Sequence, residues 1–291
     1  MFSGSIVALV TPMDEQGRID LPAFDRLLDW HLECGTSGVV VAGTTGESPT
    51  VSVDEFEAMV NHAVQRCGGQ LSVIAGTGTA STKKSIEMTS LAADLGADGA
   101  LVVTPYYNRP TQAGLAAHFG AIADASTIPI LLYNVPARTG VDLEPETALR
   151  LSAHPQVAGI KEARADLERI EALVAGAGEA FVVLSGDDGT ACQAMLRGAK
   201  GVVSVAANVV PRAFAKLCDF AVTGRRDDAL AADRELGELY SLLGIEPNPV
   251  PVKWMMHEAG VIGPGIRLPL VPLGKAHHAA ARRCLGGLDV R

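Results

Sequence analysis

The sequence predicts an α/β protein: a closed (β/α)8 TIM barrel followed by a C-terminal helical extension. Eight short apolar runs recur along the first 205 residues, and segments with a helical pattern lie between many of them. A barrel of this kind needs about 250 residues, and the 291-residue chain supplies them without an interrupting linker. An open, doubly wound sheet is the alternative fold, but eight strand-and-helix units in an unbroken series favour the closed barrel.

The eight apolar runs are the predicted strands. Their hydrophobicity is continuous rather than alternating, which is typical of strands that are covered on both faces, as in parallel sheets. They cover residues 5–10, 38–42, 71–75, 99–103, 128–133, 157–161, 181–185 and 201–205.

The predicted helices have recognisable start signals. Ser52 and Glu55 form a capping-box pattern ahead of the segment FEAMVNHAV, since each side chain can bond the backbone amide of the other. The remaining predicted helices cover residues 21–32, 81–95, 111–125 and 166–174 and, after the last strand, 211–222, 227–243 and 250–257. We therefore predict a catalytic barrel over residues 1–222 and a helical extension packed on it over residues 223–291.

Composition argues against several classes of partner. The chain has 24 Lys and Arg against 33 Asp and Glu, a net charge of −9, and no basic run typical of nucleic-acid binding. Its five cysteines are far apart and form no Cys-x-x-Cys pair, which fits a reducing cytoplasm better than a disulfide framework or a zinc site. No segment reaches the ~20 apolar residues that span a bilayer. We expect a cytoplasmic protein with no nucleic-acid or membrane partner.

The sequence offers no recognisable cofactor or metal motif. Gly76-Thr77-Gly78 opens the helix of the third unit, but the third glycine of a dinucleotide loop is missing. There is no Walker A sequence, and His277 and His278 are more typical of a solvated pair than of a metal site. We expect neither a bound cofactor nor a metal.

Lys161 is the first candidate for chemistry, because barrel active sites lie at the C-terminal ends of the strands. The four residues before it are apolar, so its stem should run into the barrel interior, where burial favours the neutral amine that attacks a carbonyl. A structural ion pair with Glu162 is the alternative. Adjacent side chains on a strand point to opposite faces, however, which disfavours that pair.

Two further strand ends carry three sets of candidates, each with a plainer alternative. Tyr133 ends the adjacent fifth strand and could pass protons to a lysine-bound substrate, or it could bond only to backbone. Thr44 and Thr45, in a Gly-Thr-Thr-Gly turn, offer hydroxyls and amides to a small carboxylate, or simply cap the next helix. Arg138 offers a bidentate carboxylate fork or is an ordinary surface arginine.

Five motifs together resemble the dihydrodipicolinate synthase and N-acetylneuraminate lyase family over nearly the whole chain. They are GTTGES at 43–48, TPYYNRP at 104–110, YNVPARTG at 133–140, GIKEA at 159–163 and SGDD at 185–188. The resemblance implies that Lys161 forms an imine with pyruvate in place of any cofactor and that Tyr133 donates and accepts its protons. The other implied roles belong to Thr44 and Tyr107 as a proton relay, and to Thr45, Gly186 and Val203 as the pyruvate pocket.

The same resemblance implies the assembly and the second substrate. Tyr107 would come from a neighbouring subunit of a homotetramer, built as a dimer of dimers. Arg138 resembles the arginine with which the synthases of the family bind L-aspartate 4-semialdehyde, and which the neuraminate lyases lack. We therefore expect condensation of pyruvate with this semialdehyde in lysine biosynthesis. Alternatives are a related pyruvate-dependent aldolase acting on N-acetylneuraminate, a 2-keto-3-deoxy sugar acid or 4-hydroxy-2-oxoglutarate, and a catalytically silent binding protein.

Some family members are inhibited by L-lysine at a subunit interface through histidine, asparagine and glutamate side chains. At those positions this chain has Val53, Phe56, Ala80 and Lys84, and it matches only at Ser48 and Tyr106. A cation at position 84 repels the ammonium group of the ligand, so the resemblance implies weak or absent inhibition by L-lysine.

Overall fold

The structure, a computed structural model that describes residues 2–290, is a closed barrel of eight parallel strands. Each strand pairs with its neighbours in chain order, and β1 closes the barrel against β8. The predicted (β/α)8 barrel is confirmed, and each of the eight predicted runs overlaps a strand. The strands are β1 Gly4–Ala8, β2 Gly38–Val41, β3 Ser72–Gly76, β4 Gly99–Val103, β5 Ile130–Asn134, β6 Val157–Glu162, β7 Val182–Ser185 and β8 Gly201–Ser204.

Helices surround the barrel and continue beyond β8. On the barrel they are α1 Leu21–Glu33, α2 Val53–Cys67, α3 Thr82–Asp94, α4 Gln112–Ala125, α5 Pro136–Thr139, α6 Pro145–Leu151, α7 Leu167–Gly176, α8 Asp188–Leu196 and α9 Pro211–Val222. The C-terminal helices are α10 Arg226–Glu235, α11 Gly237–Leu243, α12 Val250–Glu258 and α13 Lys275–Gly286. The capping box that was predicted for α2 is present, with Ser52 and Glu55 bonding each other's backbone amides.

The predicted helices differ from the structure in two ways. The single helix expected over 227–243 is wrong: α10 ends before Leu236, and α11 begins at Gly237, a residue that costs about 1 kcal/mol inside a helix. The sequence reading also missed α5, α6, α8 and α13. The first two are only four and seven residues long, and α8 is rich in small residues that give no clear helical period.

Two apolar layers hold the barrel and place its functional side chains. The interior is filled from alternating strand positions, including Ile74, Leu131, Tyr133 and Val203. The larger layer lies between the strands and the helices. Among residues 2–290, no helix is long and apolar enough to cross a bilayer.

Candidate active site

Lys161 and Tyr133 lie side by side at the C-terminal ends of β6 and β5. They are register partners across the two strands, and the Nζ of Lys161 is 4.2 Å from the centroid of the Tyr133 ring. Both are buried, with only 5% and 6% of their surfaces exposed. The amine of Lys161 and the ring of Tyr133 are thus held in contact in the buried interior of the barrel.

Glu162 does not pair with Lys161. Its carboxylate accepts hydrogen bonds from Arg169 at 2.7 Å and from Asn134 at 3.0 and 3.1 Å. The alternation of side chains along β6 places this network on the outer face of the strand and Lys161 on the inner face. The structural ion pair weighed as the alternative role for Lys161 is therefore absent between these two residues, which both lie in the described chain.

Gly186 packs directly against the stem of Lys161. A Cβ at this position would lie 2.9 Å from Cε of Lys161 and 2.8 Å from Cβ of Ala163, both too close for a real contact. Any side chain at position 186 would therefore displace the lysine. Val203, one strand further on, is 1% exposed and belongs to the interior layer that contains Tyr133.

The Gly-Thr-Thr-Gly turn after β2 is closed by its own backbone. The amide of Gly46 donates to the carbonyl of Gly43 at 3.1 Å, and the amide of Glu47 donates to the carbonyl of Thr44 at 3.1 Å. Within residues 2–290, the backbone amides of Thr44 and Thr45 donate no hydrogen bond, so both are available to a ligand. A pair of free amides in one turn suits a small carboxylate.

The same turn is tied to the C-terminal helices by a buried ion pair. Glu47, whose φ of +59° lies in the left-handed region, pairs with Lys253 of α12, and both side chains are at most 4% exposed. Burial lowers the pKa of Lys253, an effect that the Glu47 carboxylate opposes. The backbone amide of Arg267 also donates to Glu47, at 3.0 Å.

Arg138 and Thr44 line one cavity of about 330 Å³ at the ends of β2 to β5. The cavity reaches Val103, the register partner of Tyr133 in β4, so it lies beside that tyrosine. Its wall also includes Lys84. Lys161, Tyr133, Thr45, Gly186 and Val203 are not part of the wall. Of the predicted residues, Thr44 and Arg138 therefore line the open cavity, whereas these five lie outside it, and all of them except Gly186 are buried.

Tyr107 does not join the site within one chain. It is 94% exposed, and its φ of +72° is unusual for a tyrosine. Strained backbone of this kind is often found at functional positions. An aromatic side chain this exposed is open to contact with another molecule.

Asn248 is a contact of the site that the sequence reading did not identify. Its Nδ2 donates to Oγ1 of Thr45 at 3.0 Å, and its backbone carbonyl accepts from Nη2 of Arg138 at 3.1 Å. Its Oδ1 is buried and has no hydrogen-bond partner within residues 2–290. The only signal in the sequence is an asparagine inside the Pro-rich turn EPNPVP at 246–251, which indicates a turn but no partner.

Comparisons with known proteins agree on one family. A model of the dihydrodipicolinate synthetase family matches residues 1–286. The 4-hydroxy-tetrahydrodipicolinate synthase of Xanthomonas campestris is 54% identical over 281 residues, covering 97% of this chain and 93% of its own. The synthase of Coxiella burnetii is 48% identical over the full length of both chains. The crystal structure of the chloride-inhibited dihydrodipicolinate synthase of Acinetobacter baumannii, complexed with pyruvate, is 44% identical, covers 100% of both chains and superposes with a TM-score of 0.98.

Proposed function

Because the chain belongs to the dihydrodipicolinate synthetase family, we propose that it catalyses the condensation of pyruvate with L-aspartate 4-semialdehyde. The product is 4-hydroxy-tetrahydrodipicolinate, and the reaction belongs to lysine biosynthesis through diaminopimelate. The observation that carries this proposal is the buried pair of Lys161 and Tyr133, in a chain about half identical to synthases of this family.

Lys161 is the nucleophile in the proposed mechanism. Its neutral amine attacks the keto carbon of pyruvate, and the carbonyl oxygen leaves as water once it has been protonated, which produces the imine. Loss of a proton from the methyl group gives the enamine, whose carbon attacks the aldehyde of the second substrate. The amino group of that substrate then attacks the imine carbon, closes the ring and releases Lys161. Tyr133, beside Nζ, donates and accepts the protons of these steps.

The carboxylates of the two substrates are held by different groups. The free amides of Thr44 and Thr45 bind the carboxylate of pyruvate, and the backbone at Gly186 and Val203 lines the pocket. Arg138 binds the carboxylate of the semialdehyde, since this residue lines the open cavity beside Tyr133. The aldehyde substrate of a neuraminate or sugar-acid aldolase has no carboxylate for this arginine to bind, which favours the synthase reaction over those two aldolases.

Tyr107 acts in the site of a neighbouring subunit. Its exposure and strained backbone suit a side chain that is inserted into another molecule, where it would continue a relay from Tyr133 through Thr44. The active assembly is a homotetramer made of two dimers. The division into a catalytic barrel over residues 1–222 and a helical extension over residues 223–291 is part of the same proposal.

Trapping of the imine tests the central step. The protein is incubated with pyruvate, reduced with sodium borohydride and digested, and the peptides are analysed by mass spectrometry. The expected result is a reduced pyruvate adduct on Lys161, absent without pyruvate and absent in Lys161→Met. No adduct on Lys161 would defeat the proposal. An adduct together with faster turnover of a sugar aldehyde than of aspartate semialdehyde would instead favour the aldolase alternative.

A further inference from the structure

A buried polar cluster lies behind the catalytic strands, and the chemistry described above does not use it. Asn134 and Glu162 directly follow Tyr133 and Lys161 and pair with each other across β5 and β6. Both are fully buried, and they face outwards because adjacent strand residues point to opposite faces. With Arg169 of α7 and Asp142 they form what we call the outer clamp, defined by Asn134, Asp142, Glu162 and Arg169.

Asn134 closes the loop that carries Arg138. It stands before the loop, and its side chain reaches across to the residues after it. Its Nδ2 donates to Oδ1 of Asp142 at 2.7 Å, and its Oδ1 accepts from the amide of Leu143 at 2.9 Å. Residues 135–141, which contain the short helix α5 and have Arg138 at their centre, are therefore a connection whose two ends are joined by one buried side chain; we call it the Arg138 loop.

Arg169 connects the end of this loop to the strand of the nucleophile. Its Nε donates to Glu162 at 2.7 Å, while Nη1 and Nη2 donate to the two oxygens of Asp142 at 3.2 and 3.0 Å. Nη2 also bonds the carbonyl of Leu143. The planar guanidinium thus bridges two carboxylates and a carbonyl from a position that is 9% exposed. A lysine ammonium could not reproduce this arrangement of donors.

We propose that Arg169 is a positioning residue, which fixes the Arg138 loop relative to the Lys161 strand and thereby sets the affinity for the second substrate. This inference rests on the proposed function, because it takes Arg138 as the ligand of the semialdehyde carboxylate. Pyruvate does not depend on the loop in the same way, since its carboxylate binds the turn after β2. Loosening the clamp should therefore affect one substrate and spare the other.

The decisive comparison is between Arg169→Lys and Arg164→Lys. Arg164 also donates to Asp142, at 2.8 Å, but its side chain is 42% exposed and its guanidinium does not reach Glu162. We expect Arg169→Lys to raise the KM for aspartate semialdehyde about tenfold, since displacements of about 1 Å at a binding group are costly. The KM for pyruvate should change less than twofold. Arg164→Lys should change both constants less than twofold, because exposed ion pairs contribute little.

A second variant guards against a general loss of structure. Asp142→Asn leaves the bond between Arg169 and Glu162 in place and weakens only the attachment of the loop, and it should also raise the semialdehyde KM selectively. Thermal unfolding of each variant identifies the folded fraction. Equal changes in both KM values, or unchanged values in folded Arg169→Lys, would overturn the proposed role. Borohydride trapping of pyruvate in the wild-type protein separates this failure from failure of the proposed function, which would abolish the adduct itself.

Discussion

Acid should destabilise the fold through His31, a buried histidine on α1. Its side chain is fully buried, its Nδ1 lies 2.8 Å from Oγ1 of Thr36, and its Nε2 has no partner within residues 2–290. Protonation would place a charged N–H where no acceptor is present. Burial accordingly lowers the pKa of His31 to about 3.

The magnitude follows from proton linkage. The unfolded chain binds a proton at His31 below a pKa of about 6.5, whereas the folded chain resists it down to about 3. The unfolded state therefore binds more protons between these values, and stability falls as the pH drops through that window. At pH 5 the loss is about 2 kcal/mol, from roughly 1.5 pH units at 1.36 kcal/mol each. That is a large fraction of a typical total of about 5–15 kcal/mol.

The assay is urea unfolding at pH 7 and pH 5, at one fixed protein concentration because subunit association contributes to stability. His31→Asn should lose about 2 kcal/mol less than the wild type between the two pH values. Thr36→Val is the matched control: it removes the hydroxyl partner but keeps the imidazole, so it should be less stable at both pH values and retain the wild-type loss. Equal losses in His31→Asn and the wild type would refute the reasoning.

Three other predictions concern the site and its supports. Tyr133→Phe should lower kcat by about 10²-fold or more, while prolonged incubation with pyruvate and borohydride still labels the lysine; unchanged turnover would contradict its role. L-Lysine should not half-inhibit the enzyme at sub-millimolar concentration, because the family's lysine-binding side chains are replaced here by Val53, Phe56, Ala80 and Lys84, and Lys84 repels the ammonium group of the ligand; a rate assay with added lysine decides this. Arg267 lowers the pKa of Glu55 to about 2, so Glu55→Gln should cost about 1–2 kcal/mol at pH 7, after allowance for partial exposure, in urea unfolding. The depressed carboxyl stabilises fully above about 4.5, so the difference between the proteins should shrink as the pH falls towards 2.

The placement of Lys161 and Tyr133 at the strand ends could be predicted because it depends on local rules. A continuous apolar run predicts a strand with both faces covered, and the next polar residue then lies at the barrel mouth. For Lys161 and Tyr133 this placement, together with the alternation that sends Glu162 outwards, is what the structure shows. The roles of these residues in catalysis remain predictions.

The supports of the site could not be predicted because they join residues that are distant in sequence. Asn248 reaches Thr45 across 203 positions and Arg138 across 110, and no local pattern encodes such a contact. In the sequence, Arg169 is one of several charged residues of an amphipathic helix, and only the folded structure shows its bond to Glu162. The role proposed for Tyr107 in another subunit remains a prediction, because a single chain does not contain the partners that it requires.

Asn248, in the turn before α12, and the outer clamp both hold the Arg138 loop. Asn248 bonds both Thr45 and Arg138, the groups proposed to bind the carboxylates of the first and second substrates. Arg169 fixes the Arg138 loop from the opposite, outer side of the barrel. A loop that binds the substrate of a bimolecular step must hold its geometry against thermal motion, because the rate depends on alignment with the enamine. Anchoring from both sides supplies that rigidity without placing another side chain in the cavity, which leaves its volume to the substrates.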